Sequence, residues 1–287
     1  MNGPAGPARV GGVMTATAAE TARLAAKAAR VDVRELGDVR EMEGADRLLA
    51  AVWGGDDQDA VSVNMMKALS HAGHYVAGAW RDGSLVGVSV AFFWAPGDLR
   101  RLHSHISGVA LEAQGGGVGA ALKLHQAAWA IDRGVAEITW TFDPLVRRNA
   151  WFNLVKLGAR AASYHPDFYG PMRDGINGGD ASDRCLAVWD LTRGIPEPAP
   201  PAPAGGARVI LRETGGGEPL VDEPDPSERQ LACQVPKDVV ALRAGDPSLG
   251  RRWRLALRST MGRAMHAGYS VVTMTKDGHY LLERSHA

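Results

Sequence analysis

A glycine run, Gln114-Gly115-Gly116-Gly117-Val118-Gly119, leads into Ala120-Ala121-Leu122-Lys123-Leu124. Glycine has no Cβ and enters left-handed backbone freely, so main chain here can wrap closely round a ligand. The apolar spacing downstream is helical, and the first turn of a helix offers free N–H groups and the positive end of its dipole. Together these features predict a phosphate site, with a diphosphate as the default ligand. Gly115-x-Gly117-x-x-Ala120 fits the dinucleotide fingerprint, with Asp143 downstream as a ribose partner. The same residues also spell Gln114-x-x-Gly117-x-Gly119, a second diphosphate pattern. A Walker A loop is excluded, because no Gly-Lys-Ser/Thr closes the turn.

Titratable and amide side chains lie on both sides of the run. His103 and His105 share one face of the preceding strand by period-two geometry. Histidine titrates near neutrality, so either can accept a proton, or both can simply line a polar pocket. Asp143 stands past a strand end and before Pro144, where a carboxylate caps a turn, orients a histidine or anchors an ammonium. Asn149 and Asn153 are four apart and share a helix face, placed to hold a ligand or to be solvated. His125 falls on the apolar stripe of the post-glycine helix and reads as packed.

Several elements must position these groups. A strand is expected over 31–36, and Asp38 caps a helix to residue 53 with Met42, Ala45, Leu48, Leu49 and Val52 on one stripe. A short helix surrounds Met65, Met66 and Leu69. Strands over 75–80 and 85–94 flank Asp82-Gly83, a hairpin signal. Next come a strand over 102–109, the glycine run, a helix over 119–133, a strand over 136–142, a helix over 149–157 stopped by Gly158, and a strand over 184–191. Residues 196–206 are almost all Pro, Ala and Gly and read as a linker. Beyond it, 238–244 and 246–267 read as helices, the latter started by Asp246-Pro247-Ser248. Asp277-Gly278 then joins two strands. A hairpin before the glycines does not suit a Rossmann half, whose glycines follow the first strand directly.

Composition narrows the classes. At 287 residues with zero formal net charge, the chain gives no sign of a nucleic-acid or acidic-membrane partner. Cys185 and Cys233 have no CxxC spacing and read as packing residues, so no metal is expected. No apolar run is long enough to span a bilayer, and the Ala-rich start lacks the core of a secretion signal. The expected compartment is the cytoplasm. Residues 1–30 read as a disordered tail, with a frayed helix near 17–29.

The chain resembles the GNAT acyltransferase superfamily over about 31–191, and more narrowly a bacterial branch of predicted acetyltransferases. The resemblance is carried by Leu102-His103-Ser104-His105, Gly108-Val109, the glycine turn, Trp140-Thr141-Phe142-Asp143-Pro144-Leu145, Arg148-Asn149-Ala150, Phe152-Asn153 and Lys156-Leu157-Gly158-Ala159. Tyr164, Phe168-Tyr169-Gly170, Asp183-Arg184 and, further on, Trp253-Arg254, Arg258 and Gly268-Tyr269 extend it. It implies an α/β fold, a GNAT mixed sheet flanked by helices, with a small C-terminal α+β lobe. The implied divisions are a tail at 1–30, an acyl-CoA-binding domain at 31–193, a linker at 194–208 and the lobe at 209–287.

The resemblance also implies a reaction. Acetyl-CoA or another acyl-CoA places its diphosphate on Gln114, Gly115, Gly116, Gly117, Val118, Gly119 and Ala120. Its pantetheine pairs with the strand end at Val109, and an amide near Val109 to Leu111 polarises the thioester. A small-molecule primary amine, such as an amino acid, then attacks directly. The family's general base stands at the position of His103, with His105 and Asp143 as its neighbours, and Asn149 and Asn153 beside the cofactor. Two departures are visible. Leu154 stands where many relatives carry a tyrosine acid, with Tyr164 and Tyr169 as substitutes, and Gly116 stands where relatives often carry a cation. The departures suit an alternative, a non-catalytic acyl-CoA-binding sensor. A nicotinamide-dependent enzyme on the dinucleotide reading and a homodimer are left open.

Overall fold

The computed structural model describes residues 12–54, 61–95, 97–170, 180–198, 205–225 and 227–284. The chain divides into two units. The first takes in the described residues up to 138, apart from 53 and 54, together with 190–195. The second takes in those of 139–189 and 196–284.

In the first unit, α1 (Gly12–Ala29) precedes β1 (Asp32–Glu35), α2 (Val39–Trp53) and α3 (Val63–His71). β2 (Tyr75–Arg81), β3 (Ser84–Ala95) and β4 (Asp98–Val109) follow, each antiparallel to its predecessor, with β1 antiparallel to β2. Asp38 caps α2 as its spacing predicts, accepting from the Glu41 N–H at 2.9 Å. Asp82 and Gly83 take φ of 49° and 79°, the paired positive angles that match the twist of a two-residue hairpin. After β4 comes a single 3₁₀ turn, Leu111–Ala113, then the glycines and α4 (Val118–Asp132). α4 settles closely on the sheet because β3 offers Gly87, where a Cβ would stand 2.9 Å from Leu122. Ala79, Val86, Ala113, Val118 and Leu122 form a buried cluster under the turn.

The expected disordered tail at 1–30 is corrected in part. The helix expected near 17–29 is present and runs over residues 12–29, and residues 1–11 lie outside the described residues. Ala18, Ala22 and Ala29 are buried, and these small residues let α1 lie against α4. The helix is stabilised by that close packing rather than by a broad apolar face.

The chain passes into the second unit within β5 (Glu137–Phe142). α5 (Arg147–Trp151) winds on as a π turn, Phe152–Lys156, and leads to β6 (Arg160–His165) and β7 (Arg184–Asp190). Next are β8 (Arg208–Glu213), β9 (Pro219–Val221), β10 (Gln230–Gln234), α6 (Val239–Gly245) and α7 (Pro247–Leu257). α7 runs through a π turn, Arg258–Gly262, into α8 (Arg263–His266), and the chain ends in the hairpin β11 (Tyr269–Met274) and β12 (His279–Arg284). The strand order here is β5-β7-β6-β11-β12-β10-β8-β9, with β8 parallel to β10, so the sheet is mixed and the class is α/β. Asp246 starts α7 as expected, accepting from the Ser248 and Leu249 N–H groups with Pro247 in the first turn.

The domain boundaries differ from the expected ones. Residues of 209–284 share a unit with 139–189 instead of forming a lobe of their own. The pairing of Val271 on β11 with Ala161 on β6 is one reason, and buried ion pairs are the other. Residues 199–204 of the expected linker lie outside the described residues.

Candidate functional site

Backbone geometry builds the glycine turn. Gly115 and Gly117 take φ of 79° and 84°, a region L side chains rarely enter, so glycine is required at both. Gly117 caps α4 with no side-chain hydrogen bond, and the first bond of that helix runs from the Ala121 N–H to the Gly117 carbonyl. The amides of Val118, Gly119 and Ala120 are therefore helix-start donors with no carbonyl a turn behind them. Gln114, Gly115, Gly116 and Gly117 are exposed, whereas the Val118 side chain is buried, so Val118 offers its amide alone. A Cβ on Gly115 would meet nothing within 4 Å. These amides stand at the positive end of a helix beside an exposed turn, the arrangement that favours phosphate.

The end of β4 is shaped to match. The Ala110 N–H donates to the Val86 carbonyl at 3.0 Å. Antiparallel alternation then turns the Val109 N–H and C=O away from β3. Gln114 Nε2 donates to that Val109 carbonyl at 3.1 Å, folding the turn back on the strand. Leu111 is exposed at the start of the 3₁₀ turn.

His103 and His105 lie on one face of β4, as their spacing predicts. Phe92 meets both rings, at centroid distances of 5.4 and 5.9 Å, and Trp94 meets His103 at 5.6 Å. Burial first, then the neighbouring His105 and Lys123, lowers the His103 pKa to about 4. The expectation of titration near neutrality is thus corrected: at pH 7 the ring is neutral and a weak base. His105 is solvent-exposed on one side and leans on Phe92 on the other, and the lost hydration lowers its pKa too. His125 packs as expected, its Nδ1 2.9 Å from the hydroxyl of buried Tyr75.

The opposite face of β4 carries a polar chain that the sequence reading missed. Lys123 Nζ on α4 donates to Ser104 Oγ at 2.7 Å and to Gln126 Oε1 at 3.4 Å. Gln126 Nε2 donates to Ser89 Oγ at 3.2 Å, and Ser89 and Ser107 share a hydrogen bond at 2.8 Å. Lys123, Gln126, Ser89 and Ser104 are all buried, and burial lowers the Lys123 pKa to about 7. The available signal was Ser89 on β3 with Ser104 and Ser107 on β4, matched by polar Lys123 and Gln126 at i and i+3 of the helix.

Asp143 belongs to the second unit, and its two oxygens are committed. Arg254 grips it through two bonds of 2.7 Å, Arg243 donates at 3.1 Å, and the Leu145 N–H donates at 2.9 Å. Asp180 completes the cluster, 3.3 Å from Arg254 and 3.5 Å from Arg243. Burial would raise the Asp143 pKa, but Arg254, Arg243 and Arg184 hold it well below the usual carboxylate range. A carboxylate so occupied does not orient a histidine or receive a substrate ammonium, which corrects that expectation.

The two asparagines do not form a pair either. Asn149 on α5 is exposed, while Asn153 is buried where the helix widens into its π turn. Leu154 is buried core. The Tyr164 hydroxyl donates to Asp183 at 2.6 Å, and burial and that carboxylate raise its pKa, so it holds its proton. Tyr169 is exposed, with its hydroxyl 3.0 Å from Thr141 Oγ1. Cys185 and Cys233 are free, buried thiols.

Among the described residues, no group of three or more His, Cys, Asp or Glu could hold a metal ion. No described helix is long and apolar enough to cross a membrane. No protein-family model and no curated protein matches the sequence. Solved structures similar to part of the chain include an N-acetyltransferase from Staphylococcus aureus, at 14% identity and a TM-score of 0.46, covering 56% of this chain and 98% of that one. A ribosomal-protein-alanine N-acetyltransferase from Brucella melitensis has 17% identity and a TM-score of 0.46, over 56% and 99%. A phosphinothricin acetyltransferase from Sinorhizobium meliloti in complex with AcCoA has 13% identity and a TM-score of 0.46, over 59% and 94%.

Proposed function

We propose that this chain is a GNAT-type N-acyltransferase that moves an acetyl or other short acyl group from acyl-CoA to a primary amine of a small molecule. The carrying observation is the glycine turn. Two left-handed glycines lie between the end of β4 and α4 and leave the helix-start amides beside an exposed turn. The diphosphate takes those amides, and the outward edge of β4 at Val109 takes the pantetheine amides.

The proposed reaction needs no covalent intermediate on the protein. A neutral amine attacks the thioester carbon, the C–N bond forms, the C–S bond breaks, and the thiolate leaves with the proton that the new amide sheds. A His103 pKa of about 4 is too low to deprotonate an ammonium. Its neutral ring acts instead as a hydrogen-bond acceptor that orients the free amine, the ammonium having lost its proton to water before the attack. The rate therefore follows the fraction of acceptor that arrives as free base.

The test is thermal unfolding in the presence of CoA, acetyl-CoA, succinyl-CoA and NAD, followed by thiol release with a panel of amines. A ligand that binds only the native state raises the melting temperature. Stabilisation by one acyl-CoA and thiol release with an amine support the reading. Stabilisation by NAD alone overturns it. The Tyr164 hydroxyl committed to Asp183 and the buried Leu154 favour a second reading, a non-catalytic acyl-CoA sensor. Tight acyl-CoA binding with no turnover of any amine selects it.

A further inference from the structure

The glycine turn, Gln114 to Gly119, carries no cation of its own. A cation reaches the turn from elsewhere. Arg81, the last residue of β2, places Nη2 3.5 Å from the point a Gly116 Cβ would occupy. That distance is ordinary van der Waals contact, so the guanidinium lies directly against the turn. Among the described residues its hydrogen-bond acceptor is the Ala29 carbonyl, at 3.0 Å, on the last residue of α1. Its Nε is sealed from water with no acceptor, and no described carboxylate lies within ion-pair distance.

Electrostatics makes this placement costly as it stands. The Ala29 carbonyl favours a cation on one side, since helix C-termini carry partial negative charge. On the other side it meets Gly116, two residues before α4 begins, and a helix start carries partial positive charge. A partly buried guanidinium with one acceptor and a like-signed helix end beside it lacks an anion. The same anion would satisfy the amides of the turn.

We propose that Arg81 is the cation of the diphosphate subsite, held by the end of α1 and lying against Gly116. This rests on the acyl-CoA reading of the glycine turn. Arg81 binds the anion directly, and α1 positions it, so the N-terminal helix becomes part of the cofactor site.

Calorimetric titration with acetyl-CoA and with acetyl-pantetheine, which lacks the diphosphate, tests the assignment in four proteins: wild type, R81Q, R81K and R81Q/G116R. Glutamine can still donate to Ala29 but carries no charge. The backbone at Gly116 is not left-handed, so it accepts a side chain. R81Q is expected to bind acetyl-CoA roughly tenfold to a hundredfold more weakly, the loss of a charge-assisted contact. R81K retains part of the affinity, and R81Q/G116R regains most of it by restoring the charge from the loop. Acetyl-pantetheine binding stays unchanged throughout. Equal acetyl-CoA affinity in wild type and R81Q overturns the assignment while leaving the acyl-CoA reading intact. So does a parallel loss of both ligands in R81Q, which would mark a structural role. A wild-type protein that binds no acyl-CoA removes the underlying reading, and this inference with it.

Discussion

Replacing Lys123 with methionine should flatten part of the protein's pH-stability curve. In the unfolded chain this amine titrates near 10.5, and in the native protein burial lowers it to about 7. Between those values the unfolded chain binds the extra proton, so wild-type stability rises with pH across the window. At about 1.4 kcal/mol per pH unit the full span is worth about 5 kcal/mol, of which about 3 falls between pH 7 and 9.5. Every other titrating group is common to both proteins and cancels in their difference. Urea unfolding at pH 7, 8, 9 and 9.5 measures that difference, with coincident fluorescence and circular dichroism transitions required at each pH. Wild type should gain about 3 kcal/mol on Lys123→Met over this range. The variant also leaves Ser104 without its 2.7 Å donor, but that cost does not change with pH. Parallel stability curves would refute the reasoning, showing the amine charged in both states and its burial compensated.

Further outcomes follow from the same geometry. With an identified amine, kcat/KM should show no acid limb near pH 6.5, because His103 stays neutral until about pH 4; a limb at 6.5 that vanishes in His103→Ala would overturn that. Asp143→Ala should destabilise the protein by about 3–5 kcal/mol, since it leaves two buried guanidiniums to share Asp180, and pairing it with Arg254→Met should recover most of the loss by leaving one cation to that carboxylate. Native Asp143 titrates below its unfolded value, so its contribution is present above about pH 4 and lost as pH falls through the native pKa, a loss that an acid titration of the double variant should lack. Gly117→Ala forces a side chain into φ of 84° and should cost about 1–2 kcal/mol by urea unfolding.

Local rules made the first unit largely legible. Asp82-Gly83, the Asp38 cap and the helix after the glycines are each dictated within a few residues, and the structure contains them. β6, β8 and β10 escaped because short strands with little alternation form only when distant partners pair with them. α1 was legible only as a frayed helix near 17–29, for a related reason: Ala18, Ala22, Ala25 and Ala29 recur at helical spacing, but a stripe of alanines looks weak until a partner comes close enough to use it. Within the site, spacing alone placed both histidines on one face of β4. It could not supply their desolvation, which comes from Phe92 and Trp94 on the neighbouring strand. Asp143 carried no local sign that its cations stand 100 and 111 positions away. Arg81 likewise became meaningful only where folding laid the end of β2 against Gly116.

The ion pairs of the second unit carry a consequence for handling the molecule in pieces. Asp143, Asp180 and Asp183 precede the Pro/Ala segment in sequence, and their cations Arg243, Arg254 and Arg258 all follow it. Severing the chain within 199–204 should therefore not release a fragment. Each half would hold buried charges that only the other half neutralises, and β6 would hold one edge of β11. The two pieces should co-purify as a split protein and reassemble when expressed separately. Either piece alone should be insoluble, which makes that segment a natural seam for building a two-part reporter.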